Sequence, residues 1–115
     1  MPGWVLILTQ DLVELPAVEE GVRLGGYSPR HAPDLERGRV LLRRGEPPVA
    51  VIVDIPSTGD RGIGAARELA AGAPILGLSP EDAEALAEHA SAAGIRSVLP
   101  PRPEAIGHWL ERLES

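Results

Sequence analysis

The chain has 115 residues, 43% of them hydrophobic and 24% charged, which is the size of one compact domain and too apolar for a disordered segment. A formal charge of −6 excludes the clustered positive surface that phosphate backbones require, and the absence of cysteine excludes disulfides, thiolate nucleophiles and cysteine-bound zinc. All eleven basic residues are arginine, so no lysine side chain is available anywhere in the chain.

Trp4–Leu8 is a short, nearly continuous apolar run, the pattern of a strand buried on both faces. A helix is predicted next over Pro16–Leu24, because proline is tolerated only in the first turn and Gly25-Gly26 provides a stop. Tyr27–Ala32 is expected as an edge strand, since Pro29 has no N–H to give to a ladder. A second helix is predicted over Asp34–Arg44, and Val49–Val53 repeats the buried-strand pattern. Gly62–Ala71 reads as the third helix and Ile75–Leu78 as the fourth strand. Ser79 can cap the helix predicted over Pro80–Ala93, whose narrow face is Ala83, Leu86, Ala87 and Ala90. Val98–Leu99 forms a last short strand, and Pro103–Leu113 a fifth helix with Ile106, Leu110 and Leu113 on one side and Trp109 beside them.

Strands and helices that alternate with short connections imply one α/β domain over residues 1–115, built on a five-stranded parallel sheet covered on both faces. Ligands of such sheets bind at the carboxyl ends of the strands. No apolar run is long enough to cross a membrane, and Met1–Trp4 lacks the basic region and longer apolar stretch of a secretory signal. A cytoplasmic protein with no membrane or nucleic-acid partner is expected. His31, His89 and His108 have no metal-binding spacing and read as surface or packing residues. Gly59-Asp60-Arg61-Gly62-Ile63-Gly64 is glycine-rich ahead of a helix but lacks the lysine and the spacing of a nucleotide-binding loop.

Asp54 closes the third strand in Val-Ile-Val-Asp-Ile-Pro, the first strand ends at Thr9-Gln10-Asp11, Gly26-Tyr27 precedes the second, and Leu78-Ser79-Pro80 ends the fourth. Together with Gly94–Pro100 and the closing amphipathic helix, this order and spacing resemble the receiver domains of bacterial response regulators over almost the whole chain. The resemblance implies a flavodoxin-like (CheY-like) three-layer sandwich with strand order 2-1-3-4-5 and five helices. In that family two acidic residues after the first strand and an acceptor aspartate hold Mg²⁺, while a hydroxyl and a lysine bind the phosphoryl oxygens.

Carried over to this chain, the acceptor falls on Asp54 and the hydroxyl on Ser79, but the acidic pair falls on Thr9 and Gln10 and the lysine on Pro101. Asp11 lies one residue beyond the pair, where strand alternation turns a side chain to the opposite face. The aromatic indicator of the fifth strand falls on Val98. The expectation is a degenerate receiver that is not an enzyme, has no cofactor, binds Mg²⁺ weakly or not at all, and signals by phosphorylation-independent interaction or dimerisation. By resemblance its interaction face comprises the fourth helix, fifth strand and fifth helix, with Ala83, Leu86, Ala90, Val98 and Trp109. Two alternatives stand beside it: a small-ligand or anion-binding domain using the loops at Thr9–Asp11, Ile55–Gly62 and Ser79, and a genuine receiver phosphorylated on Asp54 with Asp11 as metal ligand.

Overall fold

The structure is a computed structural model that describes residues 3–79, 91, 94, 95 and 97–113. Five strands form one parallel sheet: β1 (Trp4–Leu8), β2 (Ser28–Ala32), β3 (Ala50–Asp54), β4 (Ile75–Leu78) and β5 (Ser97–Leu99), in the order β2-β1-β3-β4-β5. Four helices fall among the described residues: α1 (Leu15–Leu24), α2 (Leu35–Leu42), α3 (Ile55–Ala70) and α4 (Pro103–Arg112). The helix expected over Pro80–Ala93, with Ala83, Leu86 and Ala90, lies outside the described residues apart from Ser91.

Side chains alternate across each strand, so the two central strands feed two separate cores. Leu6, Leu8, Val51 and Val53 pack with Ile63, Ala66 and Leu69 of α3 and with Leu35 of α2. Val5, Ile7, Ala50 and Ile52 pack on the other face with Val18 and Val22 of α1 and Ile106 and Leu110 of α4. The result is the expected three-layer sandwich. β2 takes the edge position and is exposed on alternate residues, consistent with Pro29 in its ladder.

Helices α1 and α4 meet across glycines. A Cβ on Gly21 would stand 2.8 Å from Cβ of Ile106 and 3.0 Å from the Pro103 carbonyl oxygen, and one on Gly25 would stand 2.7 Å from Cβ of Leu110. The backbones approach closely because neither position carries a side chain.

The third helix departs from expectation. It starts at Ile55, directly after Asp54, rather than at Gly62. Pro56 suits a first turn, where no backbone donor is needed, and the Thr58 hydroxyl donates to the Asp54 carbonyl oxygen at 2.6 Å. The helix kinks at Gly59, whose φ of 63° and ψ of −153° only glycine adopts readily. Ile55–Gly62 is therefore kinked helix and not loop.

Candidate functional site

The segments after β1 and β3 shape the carboxyl edge of the sheet. Thr9 continues β1 and is buried to 1% exposure, and Asp54 at the end of neighbouring β3 is buried to 2%. The Thr9 hydroxyl lies 3.4 Å from Asp54 Oδ2 and from the Ser57 hydroxyl, and accepts the Asp11 backbone N–H at 3.0 Å. The Ser57 hydroxyl accepts the Gln10 N–H at 3.0 Å. His31 on β2 reaches the Thr9 carbonyl oxygen through Nε2 at 2.8 Å. These contacts pin the β1–α1 loop to both neighbouring strands, which gives His31 a structural role.

Asp11 then turns the chain into α1. Its Oδ1 accepts the backbone N–H groups of Val13 and Glu14 at 3.0 and 3.1 Å, and its carbonyl accepts that of Leu15 at 3.2 Å. An aspartate that accepts backbone N–H groups two and three residues on closes a turn in this way, and here the turn leads into α1, whose own N-cap residue, Glu14, makes no side-chain capping bond. The turn places Glu14 over the same pocket. One carboxylate oxygen from each of Asp11, Glu14 and Asp54 lies within 4.8 Å of the others. They line a cleft of about 290 Å³ together with Pro56 and Ser57.

Among the described residues, no side chain in that lining is basic. Burial, then the negative charges of Asp54 and Asp11, then a hydrogen bond to Asp54 push the Glu14 carboxyl up to about 7. Asp54 Oδ1 is buried and has no hydrogen-bond partner. A buried carboxylate oxygen in that condition costs free energy and calls for an explanation such as an ion. Three hard, anionic oxygens at this spacing are the donors a divalent cation of the Mg²⁺ or Ca²⁺ kind takes.

The site therefore differs from the expectation. Thr9 lies at the base of the pocket, but Gln10 turns outward, exposed, with its amide nitrogen 3.4 Å from the Pro33 carbonyl oxygen. Asp11, expected on the wrong face, reaches the pocket, because β1 ends at Leu8 and strand alternation no longer governs a residue in a turn. Glu14 was not among the expected site residues. The signal for it is Asp11-Leu12-Val13-Glu14, a turn-forming aspartate followed three residues later by a second acid just ahead of Pro16, which brings both carboxylates to one helix end.

Ser79 is buried directly after Leu78, the register partner of Asp54, and its N–H donates to Leu99 at 3.0 Å. Pro101 lies half-buried in the bend between β5 and α4. Val98 on β5 and Trp109 on α4 are half-buried, each packed in part against a core.

No protein-family model matches the sequence, and a search of curated proteins finds no match. Solved structures do match. A response regulator from Thermotoga maritima superposes with a TM-score of 0.80 at 19% identity over 98% of each chain. The chain has the fold of response-regulator receiver domains. A response-regulator receiver protein from Burkholderia phymatum gives 0.69 at 27% identity, over 87% of this chain and 82% of that one. The receiver domain of a sensor histidine kinase from Pseudomonas aeruginosa gives 0.76 at 20% identity over the full length of both chains, and in that structure a magnesium ion is coordinated in the active-site cleft. Among the described residues, no helix is long and apolar enough to cross a membrane.

Proposed function

We propose that this chain is a receiver-type domain of two-component signalling that works in the cytoplasm as an interaction module, without phosphorylation of Asp54 and without an independent catalytic activity. The observation that carries this reading is the lack of a basic partner for a phosphoryl oxygen: among the described residues none that lines the pocket is basic, and the chain has no lysine. A phosphoryl group arriving on Asp54 brings further anionic oxygens beside Asp11 and Glu14. Transfer of such a group depends on cations placed where that charge develops.

The residues fit a divalent cation, with the unpartnered Asp54 Oδ1 as the clearest sign. Asp11, Glu14 and Asp54 would hold it, and it would neutralise negative charge there. This chain's own residues do the rest: Thr9 supports the Asp54 carboxylate, and Asp11 orients the start of α1. Mg²⁺ binding is weak in this reading, because the two positions that carry the acidic pair in the family are Thr9 and Gln10.

The output surface is the face around the predicted fourth helix, β5 and α4. Val98 and Trp109 support this choice, since each leaves part of an apolar side chain accessible. Replacing Trp109→Ala together with Ala90→Glu should weaken self-association or partner binding while the domain stays folded; unchanged sedimentation and pull-down would remove this face from consideration.

Intact-mass analysis after incubation with acetyl phosphate and Mg²⁺, beside an Asp54→Ala control, tests the main claim. No adduct is expected. A phosphate adduct confined to the unsubstituted chain would replace this reading with that of a working receiver.

A further inference from the structure

We infer that copies of this chain associate head to tail, with the outward side of α2 on one copy docked in the shallow groove between α1 and α4 on the next. The contact adds a surface to the interaction reading above, lies away from the proposed output face, and does not depend on the state of Asp54.

Charge is segregated along the chain. Five of the eleven arginines fall between positions 30 and 44, against two acids, although the whole chain carries a formal charge of −6. On α2, Gly38 sits against Leu69 of α3, and Leu35, Leu41 and Leu42 pack towards the core. The opposite side carries Arg37, Val40 and Arg44, whose spacings of three and four put them on one stripe. The backbone stays helical through Arg43, and the Arg44 N–H donates to the Leu41 carbonyl oxygen at 3.2 Å, which carries the turn on to Arg44. Val40 is 41% exposed, and both arginines are exposed. Among the described residues Arg39 pairs with Glu68, whereas Arg37 and Arg44 have no ion-pair partner.

The other face of the molecule offers the counterpart. Leu24, Glu104, Gly107, His108 and Glu111 line a dimple of about 220 Å³ where α1 meets α4. Leu24 is a large apolar side chain left 54% exposed, and Gly107 is buried and adds no side chain that would fill the dimple. Glu111 follows Glu104 by seven residues, as Arg44 follows Arg37, which is about 10 Å along either helix. Two helices laid side by side therefore set each arginine beside a glutamate and Val40 between them, over Leu24 and Gly107. Apolar contact holds the helices together and the charges fix the register, since exposed ion pairs add little by themselves. The α2 stripe lies on one face of the sheet and the α1–α4 groove on the other. One copy cannot join its own two surfaces, and the surfaces differ, so the contact is heterologous and leaves a patch at each end for further copies.

Sedimentation of the whole chain over a range of concentrations, in about 0.05 M and about 0.5 M sodium chloride, tests the proposal. In low salt the mass should rise with concentration past that of a dimer, and in high salt it should return to that of the monomer. Arg37→Glu with Arg44→Glu, and separately Glu104→Arg with Glu111→Arg, should each weaken self-association at least about tenfold. Mixed in equal amounts, the two double variants should associate again. The reversed α2 of the first meets the reversed groove of the second, and the unchanged α2 of the second meets the unchanged groove of the first. Val40→Asp, which keeps all four charged residues, should weaken association by a similar factor and carries the test if a double variant does not melt cooperatively. A mass that stops at the monomer or dimer in low salt, association unchanged by reversal in a folded protein, or folded double variants that stay apart on mixing overturns the proposal. None of these substitutions touches Val98, or Trp109 on the other flank of α4, so such a failure leaves the output face to its own test.

Discussion

The two ends of α1 are built on opposite principles. Its body lies against α4, where Gly21 and Gly25 let two backbones meet over Val18, Val22, Ile106 and Leu110. Its start rests on polar contacts, with Asp11 closing the turn that leads into it and Glu14 drawn towards Asp54. The apolar seam gains stability by excluding water, and among the described residues it holds no buried side-chain polar atom without a partner. The polar end keeps a buried oxygen without a partner and a carboxyl that holds its proton to about pH 7. One helix thus carries a part optimised for packing and a part held under electrostatic tension, as expected where a ligand is to be bound.

The sharpest way to break this contrast is to disturb the seam. Gly21→Val places carbon atoms where Ile106 and the Pro103 carbonyl already stand, and should destabilise the domain by about 3 kcal/mol in chemical denaturation. A loss below about 0.5 kcal/mol would mean that the helices are not in close contact. At the polar end, Thr9→Val removes the hydroxyl that accepts the Asp11 N–H and lies beside Asp54. Its cost should be about 2 kcal/mol, partly recovered by Thr9→Ser.

Glu14 gives the contrast a pH dependence. Its folded value, about 7, lies above the ordinary 4.5, so between these values the folded chain binds more proton than the unfolded one. Stability must then fall as pH rises through that window. The group is only partly buried, and after solvent screening is discounted the loss is on the order of 1 kcal/mol. Glu14→Gln should flatten this part of the pH profile and leave the protein more stable than the wild type above pH 7; a profile unchanged by the substitution would show that the carboxyls do not converge. The smallest effect belongs to Leu12 and Val13, which are 67% and 94% exposed. Serine at either position should shift stability by less than about 0.5 kcal/mol, and a larger loss would place them in a core.

The same contrast explains what could be read from the sequence. The alternation of strands and helices, the edge position of β2 and the apolar side of α4 follow from periodicity and turn chemistry, and the sheet order from the family resemblance. Asp54 at a strand end was legible for the same reason. The ligand set was not, because it depends on where β1 stops. Strand alternation extended by one residue assigns Asp11 to the wrong face, whereas a strand ending at Leu8 releases it into a turn that also delivers Glu14. The start of α3 at Ile55 was not legible because glycine at position 59 reads as loop, although Pro56 is compatible with a first turn and one glycine can serve as a kink.

The convergence of Asp11, Glu14 and Asp54 is most directly tested by following the side-chain carboxyl carbon of Glu14 by NMR as pH is varied, in metal-free wild type and in Asp54→Asn. The structure predicts a midpoint near 7 in the wild type, moving back towards 4.5 when the neighbouring charge is removed. A wild-type midpoint already close to 4.5 would place Glu14 in open water, away from Asp54, and would contradict the account of this site.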